Sequence, residues 1–214
     1  MLYLPYPMSL FCSPYHFAFI DAVSYYYQRE GIPTDSDDLA KKMALDADSI
    51  KQIRKMTAST LLPFAEIYTS ACAERGPIEH SCHAISHGFA ETFLNTTLKE
   101  SLPLAITIGN VWFKGANIYG VTRDKVDAVI RHGFDASKTI DVHVWLTLSD
   151  MTVIDLSILS TLHSLGLTDS EPPAGNRVML WRDEVRSDFK YEPLLVDNDF
   201  YSKVERGLVF GVVS

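Results

Sequence analysis

The sequence predicts an α+β fold. A helical amino-terminal region covers residues 1–75. A core over 76–214 follows, with one key helix and then mostly antiparallel strands, the two regions forming one compact unit. Three observations predict it. Apolar residues recur at helical spacing as far as Gly76-Pro77. Past Ser101-Leu102-Pro103 the pattern changes to short alternating or β-branched runs between turn residues. Between them lies a single helical stripe, Cys82, Ile85, Phe89 and Phe93, at i, i+3, i+7 and i+11. Helices followed by strands, without a repeating strand–helix–strand alternation, point to an antiparallel α+β plan.

In chain order, residues 15–30 read as a helix with Phe19, Ile20, Val23 and Tyr27 on its apolar side, stopped by Gly31-Ile32-Pro33. Thr34 to Asp38 supplies capping groups for a helix through Leu39, Ala40, Met43 and Ala44. The pattern resumes after Ser49 with Ile50, Ile53 and Met56, and helix is expected again over 65–74. The key helix opens near Ser81-Cys82. Residues 104–113 and 118–122 are expected to pair as a hairpin around 114–117, followed by a short capped helix over 122–131. A second hairpin occupies 141–156. Residues 159–165 are expected to be helical, 168–175 an exposed loop, 178–181 and 191–196 strands, 199–207 a short helix and 208–213 an apolar tail.

Composition narrows the function. Hydrophobic residues make up 47% of 214, enough to build a core. The net charge is −8 and the 19 Lys and Arg are scattered, which argues against a phosphate-binding surface. The two short helices around Leu39-Ala40 and Ile50/Ile53 resemble a helix-turn-helix reader. Their few basic residues favour a subdomain packed on the core instead. No apolar run reaches the ~18 residues of a membrane span. Residues 1–12 carry two prolines and no basic start, unlike a signal peptide. Three cysteines, Cys12, Cys72 and Cys82, form no disulfide framework, and a cytoplasmic location is expected. Cys72 reads as a small buried hydrophobe.

The chemistry sits in the 141–156 hairpin. Val142, Val144, Leu146 and Leu148 alternate with His143, Trp145 and Thr147, and a return strand carries Val153-Ile154-Asp155. His143 and Asp155 lie six residues either side of Ser149, so a tight turn sets them opposite each other or one step off. A carboxylate so placed orients an imidazole through its second ring nitrogen. Cys82, at a helix amino terminus, has the placement that favours a thiolate. Its own backbone N–H is one expected oxyanion donor. His80, Ser81, His83, Trp112 and Trp145 are candidate oxyanion or substrate-binding residues, with Trp145 equally well read as core.

A cysteine opening a helix, then His143-Val144-Trp145 on one strand, then Val153-Ile154-Asp155-Leu156-Ser157 on the next, resembles the transglutaminase-like branch of the papain-like superfamily over residues 76–160. Ser81-Cys82-His83-Ala84 departs from that pattern, with Glu79-His80 where a glycine or aromatic residue is usual. The resemblance implies a papain-like core with Cys82 as nucleophile, His143 as base and Asp155 as its orienter. It further implies a cysteine peptidase or acyltransferase acting through a thioester on a peptide, protein or small acyl or amide substrate, with no cofactor. Two rivals remain. His83 and His87, at i and i+4 with Cys82 or His80, could ligate zinc, drawing on His132 or His163 for a further ligand. Alternatively the fold serves as a non-catalytic protein-binding module.

Overall fold

A computed structural model describes residues 13–79, 81–133 and 142–210. The amino-terminal helices begin where the sequence places caps. In α1 (Pro14–Arg29) the Ser13 side chain accepts from the His16 N–H, and Pro14 occupies a first-turn position that has no intrahelical use for an N–H. Asp35 caps α2 (Ser36–Met43) and Asp46 caps α3 (Ala47–Met56). A π-helical turn, Thr57–Leu61, then leads without a break into α4 (Leu62–Ala73). Pro63 explains the wider turn: it has no N–H, and its ring would press on the carbonyl of residue 59 in regular α geometry. The cysteine-opened helix is α5 (Cys82–Leu94).

The sheet has six antiparallel strands: β1 (Leu104–Phe113), β2 (Ala116–Asn117), β3 (His143–Leu148), β4 (Val153–Asp155), β5 (Met179–Trp181) and β6 (Phe189–Val196). The expected strand at 118–122 does not form. After the turn at Lys114 and Gly115, both with positive φ, β2 is only two residues long. The Asn117 side chain then accepts from the N–H groups of Tyr119 and Gly120, folding the backbone into a turn that competes with strand pairing. The long partners of β1 are instead distant in sequence: β3, with Gly109 opposite His143, and β6, with Val111 opposite Tyr191. Among the described residues the remaining α-helices are α6 (Arg123–His132), α7 (Ile158–Ser164) and α8 (Phe200–Phe210), and a 3-10 turn spans Thr97–Glu100.

Strand alternation divides the core into two faces. Val144, Leu146, Leu148 and Ile154 pack with Ile85, Phe89 and Phe93 of α5. Trp145, Val153, Trp181 and Tyr191 pack on the other side with Tyr15 and Phe19 of α1, inside the curl of the sheet. There Trp145 Nε1 donates to the Tyr15 hydroxyl (2.9 Å), which bonds Thr147 Oγ1 (2.7 Å). The first helix of the amino-terminal region is thus part of the same core as the sheet.

Gly109 keeps the two strands beside His143 at their spacing. An added Cβ there would fall on the Glu192 carbonyl oxygen and within 2.9 Å of the Trp145 ring. The obstructing carbonyl is backbone at a β-bulge and cannot swing away. Gly109→Ala is therefore expected to cost about 3 kcal/mol, the upper end for overpacking, as measured by urea unfolding. A loss near zero would show that β1 and β6 are not this close.

Candidate active site

The pairing of β3 with β4 sets Leu146 opposite Ile154 and Thr147 opposite Val153. Continued, that register puts Asp155 opposite Trp145, so His143 is its diagonal neighbour on the same face, one same-face step off. The imidazole spans the gap: His143 Nε2 and Asp155 Oδ2 are 2.5 Å apart, and both side chains are fully buried. The carboxylate accepts three further bonds. Its Oδ1 takes the backbone N–H groups of Ser157 and Ile158, at 3.0 Å each, and its Oδ2 takes the Tyr191 hydroxyl at 3.0 Å. Asp155 thereby caps α7, whose own Ser157 offers no side-chain cap. Because a carboxylate only accepts, the proton on Nε2 is assigned to the ring, which leaves Nδ1 as the site for a second proton.

Cys82 is the first residue of α5 and is only 3% exposed. Its Sγ lies 3.5 Å from the carbonyl oxygen of Val142, the residue just before β3, and donates to it. One turn along, Ser86 Oγ donates to the Val144 carbonyl (3.2 Å). This end of β3 has β1 on one side, but β4 is only three residues long and leaves the other side without a strand, where α5 satisfies the Val142 and Val144 carbonyls. The thiol belongs to the α5 face of the sheet and His143 to the inner face, so they meet at the end of β3 rather than across one face.

Electrostatics ties them together. Burial alone pushes the Cys82 thiol up, but the His143 ring, with His83 beside it, outweighs this and brings the thiol down to about 6. Burial alone would push the His143 imidazole down. The Asp155 carboxylate, reinforced by the thiol, raises it instead to about 10. Nδ1 of His143 meets no partner at hydrogen-bonding geometry, and the thiol hydrogen points to Val142. The neutral thiol donates to Val142, and the His143 ring favours its loss of that proton.

Tyr119 lies over the pair. Its ring stacks on His143 with centroids 4.7 Å apart, and burial together with the charges of Cys82 and Asp155 holds its phenol well above the usual range. Among the other residues singled out from sequence, Ser81 precedes the thiol and gives α5 no side-chain cap, leaving the first-turn N–H groups beside Cys82 without one. His83 and His87 stack on Tyr201 of α8, at 5.8 and 4.8 Å. No group of three or more His, Cys, Asp or Glu suited to a metal occurs among the described residues. Trp112 Nε1 donates to Glu192 (3.2 Å), so its N–H is committed away from the thiol. Trp145 is wholly buried in the inner core, with its ring 6.0 Å from that of His143. His80 and Cys12 lie outside the described residues.

Sequence reasoning missed Tyr119 and Tyr191. The β6 alternation that predicts a strand gives no sign that Tyr191 will reach Asp155, since that depends on the curl of the sheet. The turn residues Asn117 and Gly120 were the available signal for Tyr119.

The fold and site together define an α+β protein with a buried cysteine–histidine–aspartate constellation. Comparisons with protein-family models, curated proteins and solved structures found no match to the chain. No helix among the described residues is long and apolar enough to cross a membrane.

Proposed function

We propose that the protein is a thiol-dependent hydrolase or acyl transferase of papain-like type, with Cys82 as nucleophile, His143 as general base and acid, and Asp155 as its orienter. The observation that carries this reading is the Asp155–His143 pair at 2.5 Å beside a thiol brought down to about 6. The buried carboxylate occupies Nε2, so Nδ1 is the ring nitrogen left to exchange a proton with the sulfur. In the first step the thiolate attacks a carbonyl carbon, forming a C–S bond and an oxyanion. The imidazolium gives its Nδ1 proton to the departing amine or alkoxide as the C–N or C–O bond breaks. Water or an amine then attacks the thioester, returning a proton to Nδ1 and expelling the thiolate. The first-turn N–H of Cys82 is the nearest donor for the oxyanion. The sulfur is almost wholly buried, so an acyl group reaches it only after neighbouring side chains move aside.

The parallel bonds of Cys82 and Ser86 to Val142 and Val144 favour a second reading, in which the thiol is only a strand-edge donor in a non-catalytic binding module. Cys82→Ser separates the two, because a hydroxyl preserves the bond. Incubation with activated amide and ester substrates is expected to leave an acyl adduct on Cys82, visible by mass spectrometry, in the native protein and not in Cys82→Ser. Equal stability of the two proteins with no adduct from any substrate would support the structural reading.

A further inference from the structure

We propose that Tyr191 is a positioning residue for His143, acting through the carboxylate oxygen of Asp155 that the two share. The inference deepens the acyl-transfer reading and rests on His143 being its acid–base group. Tyr191 is 2% exposed and lies on β6 opposite Val111. Its ring stands edge-on to Trp145, with centroids 5.2 Å apart, and 5.3 Å from the ring of Trp181. Strands β6 and β4 are not paired, so it is the curl of the sheet that brings the phenol to Asp155. A carboxylate only accepts, so the phenol donates to Asp155 Oδ2, at 3.0 Å. Burial and the Asp155 charge hold that phenol well above its ordinary range, and it stays a donor throughout neutral pH.

The same oxygen, Oδ2, faces His143 Nε2 at 2.5 Å, while Oδ1 is occupied by the Ser157 and Ile158 N–H groups. Two donors on one oxygen weaken each other, because each draws on the same negative charge. The phenol therefore takes charge from the atom that stabilises the imidazolium. It holds the ring less basic than an unshared carboxylate would make it. Burial lowers the imidazole, but Asp155 and the thiol carry it up to about 10. A general acid works best with its proton affinity near the working pH, and a donor that restrains the rise keeps the Nδ1 proton transferable. The titratable groups around His143 are Asp155 of β4, Tyr119 stacked on its ring, Tyr191 behind the carboxylate, and Cys82 with its neighbour His83 on α5.

The test is NMR of the full chain with isotope-labelled histidine, carrying Cys82→Ser so that the result does not depend on thiol chemistry. The imidazole signal followed is the one that disappears in His143→Ala. Tyr191→Phe keeps the ring and removes the donor. It is expected to move the Nε2 proton downfield, as its bond to Oδ2 tightens, and to raise the imidazolium midpoint by about half a pH unit, the scale of mutual polarisation between bonds to a charged group. A fluorinated tyrosine at position 191, a stronger donor of nearly the same shape, is expected to shift both quantities the opposite way. Mere loss of packing would instead admit water and move the proton upfield in Tyr191→Phe. A proton unmoved or shifted upfield there, or a midpoint unchanged or lowered, overturns the inference. If Tyr191→Phe fails to fold, the fluorinated protein decides, and an unchanged or raised midpoint overturns it. The expected shifts without any acyl adduct on native Cys82 would sink the enzyme reading alone and leave the coupling of Tyr191 to His143 standing.

Discussion

Replacing Asp155 by alanine is expected to destabilise the protein by about 3–5 kcal/mol, the loss typical of removing one partner from a buried charged pair. The carboxylate has four hydrogen-bond partners, and the substitution leaves His143 Nε2, the Tyr191 hydroxyl and two backbone N–H groups without an acceptor in a site closed to water. Asp155→Asn keeps the volume and one acceptor oxygen and should cost less, while still letting the imidazole fall from about 10 toward its ordinary value. The pH dependence has a definite sign. The His143 imidazole is raised on folding, so its contribution is fully present below its unfolded value of ~6.5 and is lost as pH rises through about 10. The stability gap between native protein and Asp155→Ala, measured by urea unfolding, should therefore narrow as pH climbs toward 10. A loss under about 1 kcal/mol would mean that the carboxylate is not the buried anchor described here.

His143→Ala is expected to move the midpoint of Cys82 alkylation by iodoacetamide upward by more than two pH units. The native thiol stands at about 6, a free cysteine at ~8.5, and burial pushes the thiol up once the ring is gone. The midpoint, not the rate at neutral pH, is the informative quantity. A less acidic thiolate is intrinsically more nucleophilic, which offsets much of the drop in thiolate fraction. An unchanged midpoint in His143→Ala would leave the low thiol value without its cause.

Much of this arrangement was legible in the sequence because it depends on local patterns. The Cys82–Ile85–Phe89–Phe93 stripe marks a helix buried on one side, and the alternation around His143 with the β-branched return strand marks a hairpin. Both hold in the structure, with α5 and the β3–β4 pair where expected. The diagonal register of His143 and Asp155 needed the turn geometry, a turn between Leu148 and Thr152 closed by Met151 at positive φ. What the sequence did not reveal is long-range. Beyond the two-residue β2, the partners of β1 are β3 and β6, the latter reaching as far along the chain as Val196, opposite Thr107. The expected strand at 118–122 gave way because Asn117 turned the chain locally. That turn carries Tyr119 over His143. The meeting of thiol and ring at a strand end likewise follows from where β4 stops, which no residue pattern announces.

The central claim, an ion pair between Cys82 and His143, is tested most directly by ultraviolet titration of the thiolate. The absorbance of the native protein minus that of Cys82→Ser, followed against pH, reads the charge on the sulfur without requiring a reagent to reach it. The predicted result is a rise centred near pH 6 and a plateau through neutrality. A single rise at or above ~8.5, as for an isolated or merely buried thiol, would contradict it.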